Sequence, residues 1–259
     1  MAPGTGLCSP MLLIAAALEE ELDTAKALCR NARKVEGLPL DVWEADCRGE
    51  PLRFLKTGVG PKRSAERLAR ALQFFRPASV LVTGYAGALD PDLRLGSLVA
   101  VTKALLCSLP EGNPGWENAA LQGSYDLAVG EALKKAAAAA GLELAVGDVL
   151  TSPHVLGDPA HKRLLHERFQ ASIVDMETAA LARVAQSANL PLACVRAVSD
   201  VAEDEFLVPF SHDPSLSLPA RAARLIGSGV VSAFRAWKDR AAVAGASLGR
   251  FFAEYLASH

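Results

Sequence analysis

In the stretch SIVDMETAALARVA, residues 172–185, two patterns meet. Ser172 to Val174 is a short apolar run of the kind that forms a buried strand, and from Glu177 to Ala188 the residues follow a helical period, with Asn189 as a stop. A strand running straight into a helix is the repeating unit of α/β proteins, and the alternation continues in both directions. Strands are expected at Leu12–Ala17, Leu52–Thr57, Ser79–Thr83, Ser97–Lys103, Ala145–Leu150 and Leu192–Val198. Helices are expected at Glu20–Asn31, Lys62–Phe75, Ser124–Ala140 and Pro159–Arg168. There is no internal repeat and no Gly/Ser linker, so the chain reads as one α/β domain with helices on the faces of a sheet.

Composition excludes several classes of protein. With 51% hydrophobic residues and a net charge of −2 over 259 residues, the chain can bury a large core and is not of the disordered type. That charge provides no global field for nucleic acid. The five cysteines (Cys8, Cys29, Cys47, Cys107, Cys194) are scattered without a CxxC pair, which argues against a disulfide framework and for a reducing cytoplasm. The apolar run Met11 to Leu18 has no Lys or Arg before it and Glu19, Glu20 and Glu21 directly after it, so it reads as a strand and not as an export signal. The histidines (His154, His161, His166, His212, His259) have no metal-ligand spacing, and no metal or organic cofactor is expected.

Chemistry-bearing residues gather at strand ends, where open α/β sheets bind ligands. The first strand runs into LEEEL, residues 18–22; any one of its acids could simply favour a helix N-terminus. KTGVGPK (56–62) and VLVTGYAGALD (80–90) each take a strand into paired glycines, which open the backbone N–H groups to a ligand. Neither fits a dinucleotide or NTP fingerprint. PLACVRAVSDVAEDEF (191–206) ends an apolar strand at Ser199 and Asp200, which could cap the next segment or act as an acid.

Taken together, AAALEEEL, TGVG, TGYAGAL, VDMETAALARVA and RAVSD resemble the purine nucleoside phosphorylase and nucleosidase superfamily, and within it the methylthioadenosine/S-adenosylhomocysteine nucleosidases. The resemblance covers about Met11 to Phe210. It implies a single-domain, three-layer α/β fold around a central mixed, partly closed sheet, and a homodimer. It also implies roles. Asp200 would be the general acid toward purine N7, held by Ser199, and Glu21 would orient the attacking water. Glu177 would grip the ribose hydroxyls with Met176 against the sugar, and Phe210 would stack near base or sugar. Gly84, Tyr85 and Ala86 of the glycine turn, and Val155 and Leu156 in TSPHVLGDP, would line the substrate site. The chemistry is coherent: breaking an N-glycosidic bond needs an acid on the base side and negative charge on the cationic sugar side.

On this reading residues 1–10 are an extension, 11–218 the catalytic domain, and 219–259 two basic amphipathic helices broken around Ala244–Gly249. The last segment carries six basic residues (Arg221, Arg224, Arg235, Lys238, Arg240, Arg250) against Asp239 and Glu254. Such helices cover a sheet face or a subunit contact, or lie on an anionic membrane surface. Three acids in the first loop and no arginine in TGYAGAL favour water over phosphate as nucleophile. Tyr85 and Ala88 stand where the nucleosidases carry small residues, and Val155 where they carry an aromatic, so the floor of the pocket is expected to be narrower and base stacking weaker. Four substrate readings therefore stay open: a 5′-substituted adenosine releasing adenine, an adenosylhopane-type substrate, a phosphate-dependent purine nucleoside reaction, and a silent purine-binding protein.

Overall fold

The structure is a computed structural model that describes residues 11–110, 115–205 and 229–258, with the side chains of 229–235 left aside. Eleven strands form one sheet: β1 (Leu12–Ala16), β2 (Arg30–Lys34), β3 (Val42–Cys47), β4 (Glu50–Lys56), β5 (Ser79–Val82), β6 (Tyr85–Ala88), β7 (Leu98–Ser108), β8 (Ala120–Asp126), β9 (Leu144–Thr151), β10 (Ile173–Asp175) and β11 (Leu192–Asp200). The helices are α1 (Glu19–Lys26), α2 (Pro61–Phe74), α3 (Glu131–Ala139), α4 (Pro159–Phe169), α5 (Thr178–Ser187) and α6 (Gly229–Tyr255).

The strands are ordered β2-β3-β4-β1-β5-β11-β6-β10-β9-β7-β8, and β7 also pairs with β11. That last pairing closes β11, β6, β10, β9 and β7 into a ring, so the sheet is mixed and partly closed. In the open part the central strands β1 and β5 are buried on both sides, and their side chains divide with a period of two. Leu13, Ala15, Val80 and Val82 enter one core with Leu68 and Ala71 of α2 and Ala179 and Ala182 of α5. Ile14, Ala16 and Leu81 enter the other with Leu22 of α1, Leu133 of α3 and Leu248, Phe251 and Phe252 of α6. Three layers result.

Local sequence explains the helix starts. α2 opens with Pro61 after Gly60, whose φ of 101° few other residues adopt. In α4 the Asp158 carboxylate accepts the Ala160 N–H at 2.7 Å and Pro159 occupies the first helical position.

Three expected elements are different in the structure. The helix from Glu20 stops at Lys26, and Arg30–Lys34 forms an exposed edge strand whose charged sequence has no apolar alternation. Ser124–Ala140 divides into the end of β8 and α3, because Ser124 to Asp126 continue the antiparallel pairing with β7. Ala244–Gly249 does not break the tail: both glycines lie inside α6, where Gly245 admits the Tyr85 hydroxyl and Gly249 faces Thr24 of α1. Residues 219–228 lie outside the described part.

Phe251 is completely buried and stacks on Tyr255 at 5.5 Å, between α6 and the sheet. Phe251→Ala is expected to lower the unfolding free energy by about 3–5 kcal/mol, read from urea or guanidinium titration.

Candidate active site

Arg196 lies in the middle of β11, 1% exposed, and organises one side of the candidate site. Its Nη2 is 2.5 Å from Asp175 Oδ2 and 3.8 Å from Glu177 Oε2, and its Nη1 donates to the Thr83 carbonyl at 2.9 Å. Asp175 is itself fixed by the Thr151 hydroxyl at 2.7 Å and by the hydroxyl and N–H of Thr178. Burial works against the charge on Arg196, but the carboxylates of Asp175, Glu177 and Glu21 together with Cys194 outweigh it and raise its pKa.

Glu21 comes from α1 and Glu177 from the start of α5. Glu21 Oε2 accepts the Leu18 N–H at 2.8 Å, the capping interaction that begins α1, and Oε1 accepts the Tyr85 N–H at 2.8 Å. The expected helix cap and the expected site acid are thus one carboxylate. Glu177 Oε1 accepts the Gly60 N–H at 2.9 Å, so the TGVG turn presents its backbone to this acid. Gly84 (φ 129°) sits where a Cβ would lie 2.5 Å from Glu21 Oε1 and 2.7 Å from Arg196 Nη1, which requires glycine.

Asp200 ends β11 past a bulge: Val198 pairs with Ala86, but the next partner of β6, Gly87, faces Asp200. Bulges of this kind re-aim a side chain. A Cβ on Gly87 would lie 2.8 Å from Asp200 Oδ2. Ser199 Oγ donates to Asp200 Oδ1 at 3.0 Å and lies 3.3 Å from the Ala86 carbonyl. Oδ2 meets the ammonium of Lys162 at 2.6 Å. From Gly84, beside Glu21, to Gly87, beside Asp200, is three residues of extended chain, about 10 Å, comparable to the length of a purine nucleoside.

The other expected residues are placed as follows. Met176 is half-buried between Asp175 and Glu177. Val155 is half-buried in the loop between β9 and α4. Leu156 is 4% exposed and packs in a third core group with Leu89, Leu150 and Leu165. Tyr85 contributes its N–H to Glu21, whereas its ring packs in the core shared with α6 and its hydroxyl reaches Gly245; the expected narrowing of the pocket by this ring is therefore corrected. Phe210 lies outside the described residues. Sequence reasoning missed Arg196 and Lys162. Arg196 is a lone charge inside the apolar run LACVRAV, and Lys162 shares a helical stripe with Leu165, three residues on; both signals are readable.

The fold and this grouping can be set beside known proteins. The phosphorylase superfamily profile matches residues 12–226, and the chain belongs to this superfamily. A curated relative, the 5′-methylthioadenosine/S-adenosylhomocysteine nucleosidase of Geobacillus thermodenitrificans, is 30% identical over 206 residues, 77% of this chain and 87% of the relative. Among solved structures, the nucleosidase of that name from Neisseria meningitidis, in complex with methylthio-immucillin-A, superposes with a TM-score of 0.75 at 20% identity over 96% of this chain and 100% of that one. Futalosine hydrolase from Helicobacter pylori superposes with a TM-score of 0.66 at 19% identity, over 88% and 97% of the two chains. At those identities the superpositions establish a common fold.

Burial pushes the Glu177 carboxyl up to about 8, helped by the Asp175 carboxylate and opposed by Arg196 and the Gly60 N–H. Burial also raises Glu21, against Arg196 and the N–H groups of Tyr85 and Leu18. The consequence for stability follows from linkage: between the ordinary value of 4.5 and about 8 the folded state holds a proton on Glu177 that the unfolded state has released. Stability from this group is therefore lost as pH rises through that window. Glu177→Gln removes the titration, so its melting temperature is expected to gain on the wild type steadily between pH of about 5 and 8. A gap independent of pH in thermal melts would contradict a raised Glu177.

Proposed function

We propose that this chain is a purine nucleosidase that hydrolyses the N-glycosidic bond of a 5′-substituted adenosine, of the methylthioadenosine/S-adenosylhomocysteine type, and releases adenine. The observation that carries the reading is the spacing along β6: buried Glu21, Glu177 and Arg196 at one end and buried Asp200 at the other, in a chain 30% identical to a nucleosidase of that substrate class.

In this reading Asp200, steadied by Ser199, faces the base and gives N7 a proton as C1′–N9 breaks and its electron pair moves onto the purine. Glu177 and Met176 hold the ribose, with the Glu177 carboxyl engaging its hydroxyls. Glu21 orients a water toward C1′, using lone pairs left free by its two N–H donors. Gly84, Tyr85 and Ala86 contribute backbone at the sugar end, and Val155 the loop beside the base. Three acids in the first turn of α1, Glu19, Glu20 and Glu21, support water over phosphate as nucleophile.

We further read the protein as cytoplasmic, from its scattered cysteines, and as homodimeric, as the family resemblance implies, with residues 11–218 as the catalytic domain. Among the described residues no helix is long and apolar enough to cross a membrane. Ala244, Leu248, Phe251, Phe252 and Tyr255 of α6 face the sheet, which supports a covering role for this helix over membrane-surface contact.

Adenine should appear, by chromatography, from methylthioadenosine or S-adenosylhomocysteine without added phosphate. Strict dependence on phosphate would make the chain a phosphorylase, and no release from these, adenosine or inosine would overturn the substrate named here in favour of a larger adenosyl compound or a silent purine-binding protein. Asp200→Asn is expected to keep the fold and lose roughly 10² to 10⁴ in kcat. Glu177→Gln should weaken nucleosides with free ribose hydroxyls more than 2′-deoxy analogues; equal losses in KM would remove the ribose contact.

A further inference from the structure

Lys162 is an anomaly in its own helix. It lies in the first turns of α4, where the helix dipole disfavours a cation, and its side chain is 0% exposed. Long charged side chains are almost never fully buried without a partner, because an unpaired ammonium in the interior is strongly destabilising. All three ammonium protons have acceptors: Asp200 Oδ2 at 2.6 Å, the Val201 carbonyl at 2.8 Å and the Asp204 carbonyl at 3.3 Å. The two carbonyls belong to the turn that follows β11, which is closed by Asp204 N–H to Val201 C=O at 3.1 Å and Val201 N–H to Asp204 Oδ2 at 3.2 Å.

One side chain therefore fixes both the carboxylate at the base end of the site and the backbone immediately behind it. Charge gives a reason for it. Three acids, Glu21, Asp175 and Glu177, share the single guanidinium of Arg196 at the sugar end. Asp200 is the fourth buried carboxyl, and Lys162 gives it a cation of its own. At 2.6 Å the contact is a short charge-assisted hydrogen bond, and it takes Oδ2 while Ser199 takes Oδ1, so the orientation of the carboxyl group is set from both sides.

We propose that Lys162 is a positioning residue for the leaving-base step, acting through Asp200. The proposal rests on the nucleosidase reading above. Asp200 stands as an ion-paired carboxylate, so the proton it passes to N7 is first taken up from solvent on the oxygen that Lys162 does not hold; as that proton passes, the glycosidic electron pair stays on the base and the ion-paired carboxylate returns. The Lys162 ammonium holds Oδ2 before and after the transfer, which keeps Oδ1 in one direction, and no proton leaves Lys162. Its contribution belongs to the transition state and not to substrate binding, so it is carried in kcat.

The test is a double-mutant cycle on the full chain, with adenine release from methylthioadenosine as readout and circular dichroism as the check on folding. Lys162→Met is expected to lower kcat by about 10²-fold or more, with KM within about 3-fold. In the Asp200→Asn background, where no carboxylate needs the ammonium, the same substitution should cost less than about 3-fold, because groups that act as a unit are not additive. Equal losses in both backgrounds, or a raised KM with kcat kept, would overturn the proposal. If Lys162→Met alone fails to fold, the comparison of Lys162→Met/Asp200→Asn with Asp200→Asn decides: a further loss above about 10-fold overturns it, and a loss below about 3-fold supports it. Full turnover by Asp200→Asn would separately remove the general-acid reading of Asp200, whatever Lys162→Met does.

Discussion

A guanidinium placed inside a strand with almost no contact with water must be surrounded by anions or the strand will not stay buried. Arg196 meets that demand with Asp175 at 2.5 Å, Glu177 at 3.8 Å and the Thr83 carbonyl, and Glu21 adds its charge from α1. Each of these belongs to a different segment: the end of β10, the start of α5, the end of β5 and the first helix. The constraint works in both directions, since Asp175 without Arg196 would be an equally unfavourable buried charge. The geometry of this acid group is thus fixed largely by mutual neutralisation.

The excess of acids over that one cation has a chemical result. Burial raises the carboxyls of both Glu177 and Glu21 against that one cation, Glu177 to about 8. A pocket so composed favours a ligand that brings positive charge to it.

How much of this could be read from the sequence depends on which side chains are constrained by one neighbour and which by many. β1, β5 and β11 are buried on both faces, so their apolar runs were plain, and TGVG, TGYAGAL and RAVSD marked the ends where the acids gather. β2 is an exposed edge with the sequence RNARK, and nothing local distinguishes it from the end of a helix; only pairing with β3 makes it a strand. The division of Ser124–Ala140 was hidden for the same reason, since β8 exists by pairing with β7. Tyr85 shows the limit at the level of one residue. Its backbone lies at the site as its position suggested, but the direction of its ring depends on Gly245, 160 positions further on, which leaves room for it.

The place of β11 in the sheet bears on how the chain acquires its structure. Although it is the last strand, it lies between β5 and β6 and closes the ring by pairing with β7. Until it arrives, β2-β3-β4-β1-β5 and β6-β10-β9-β7-β8 are two separate sheets with open edges facing each other. Arg196, Ser199 and Asp200 all come with this strand, so joining the halves and completing the acid group are one event. A chain emerging from the ribosome would carry two unpaired strand edges, of the kind that invite aggregation, until β11 pairs with both.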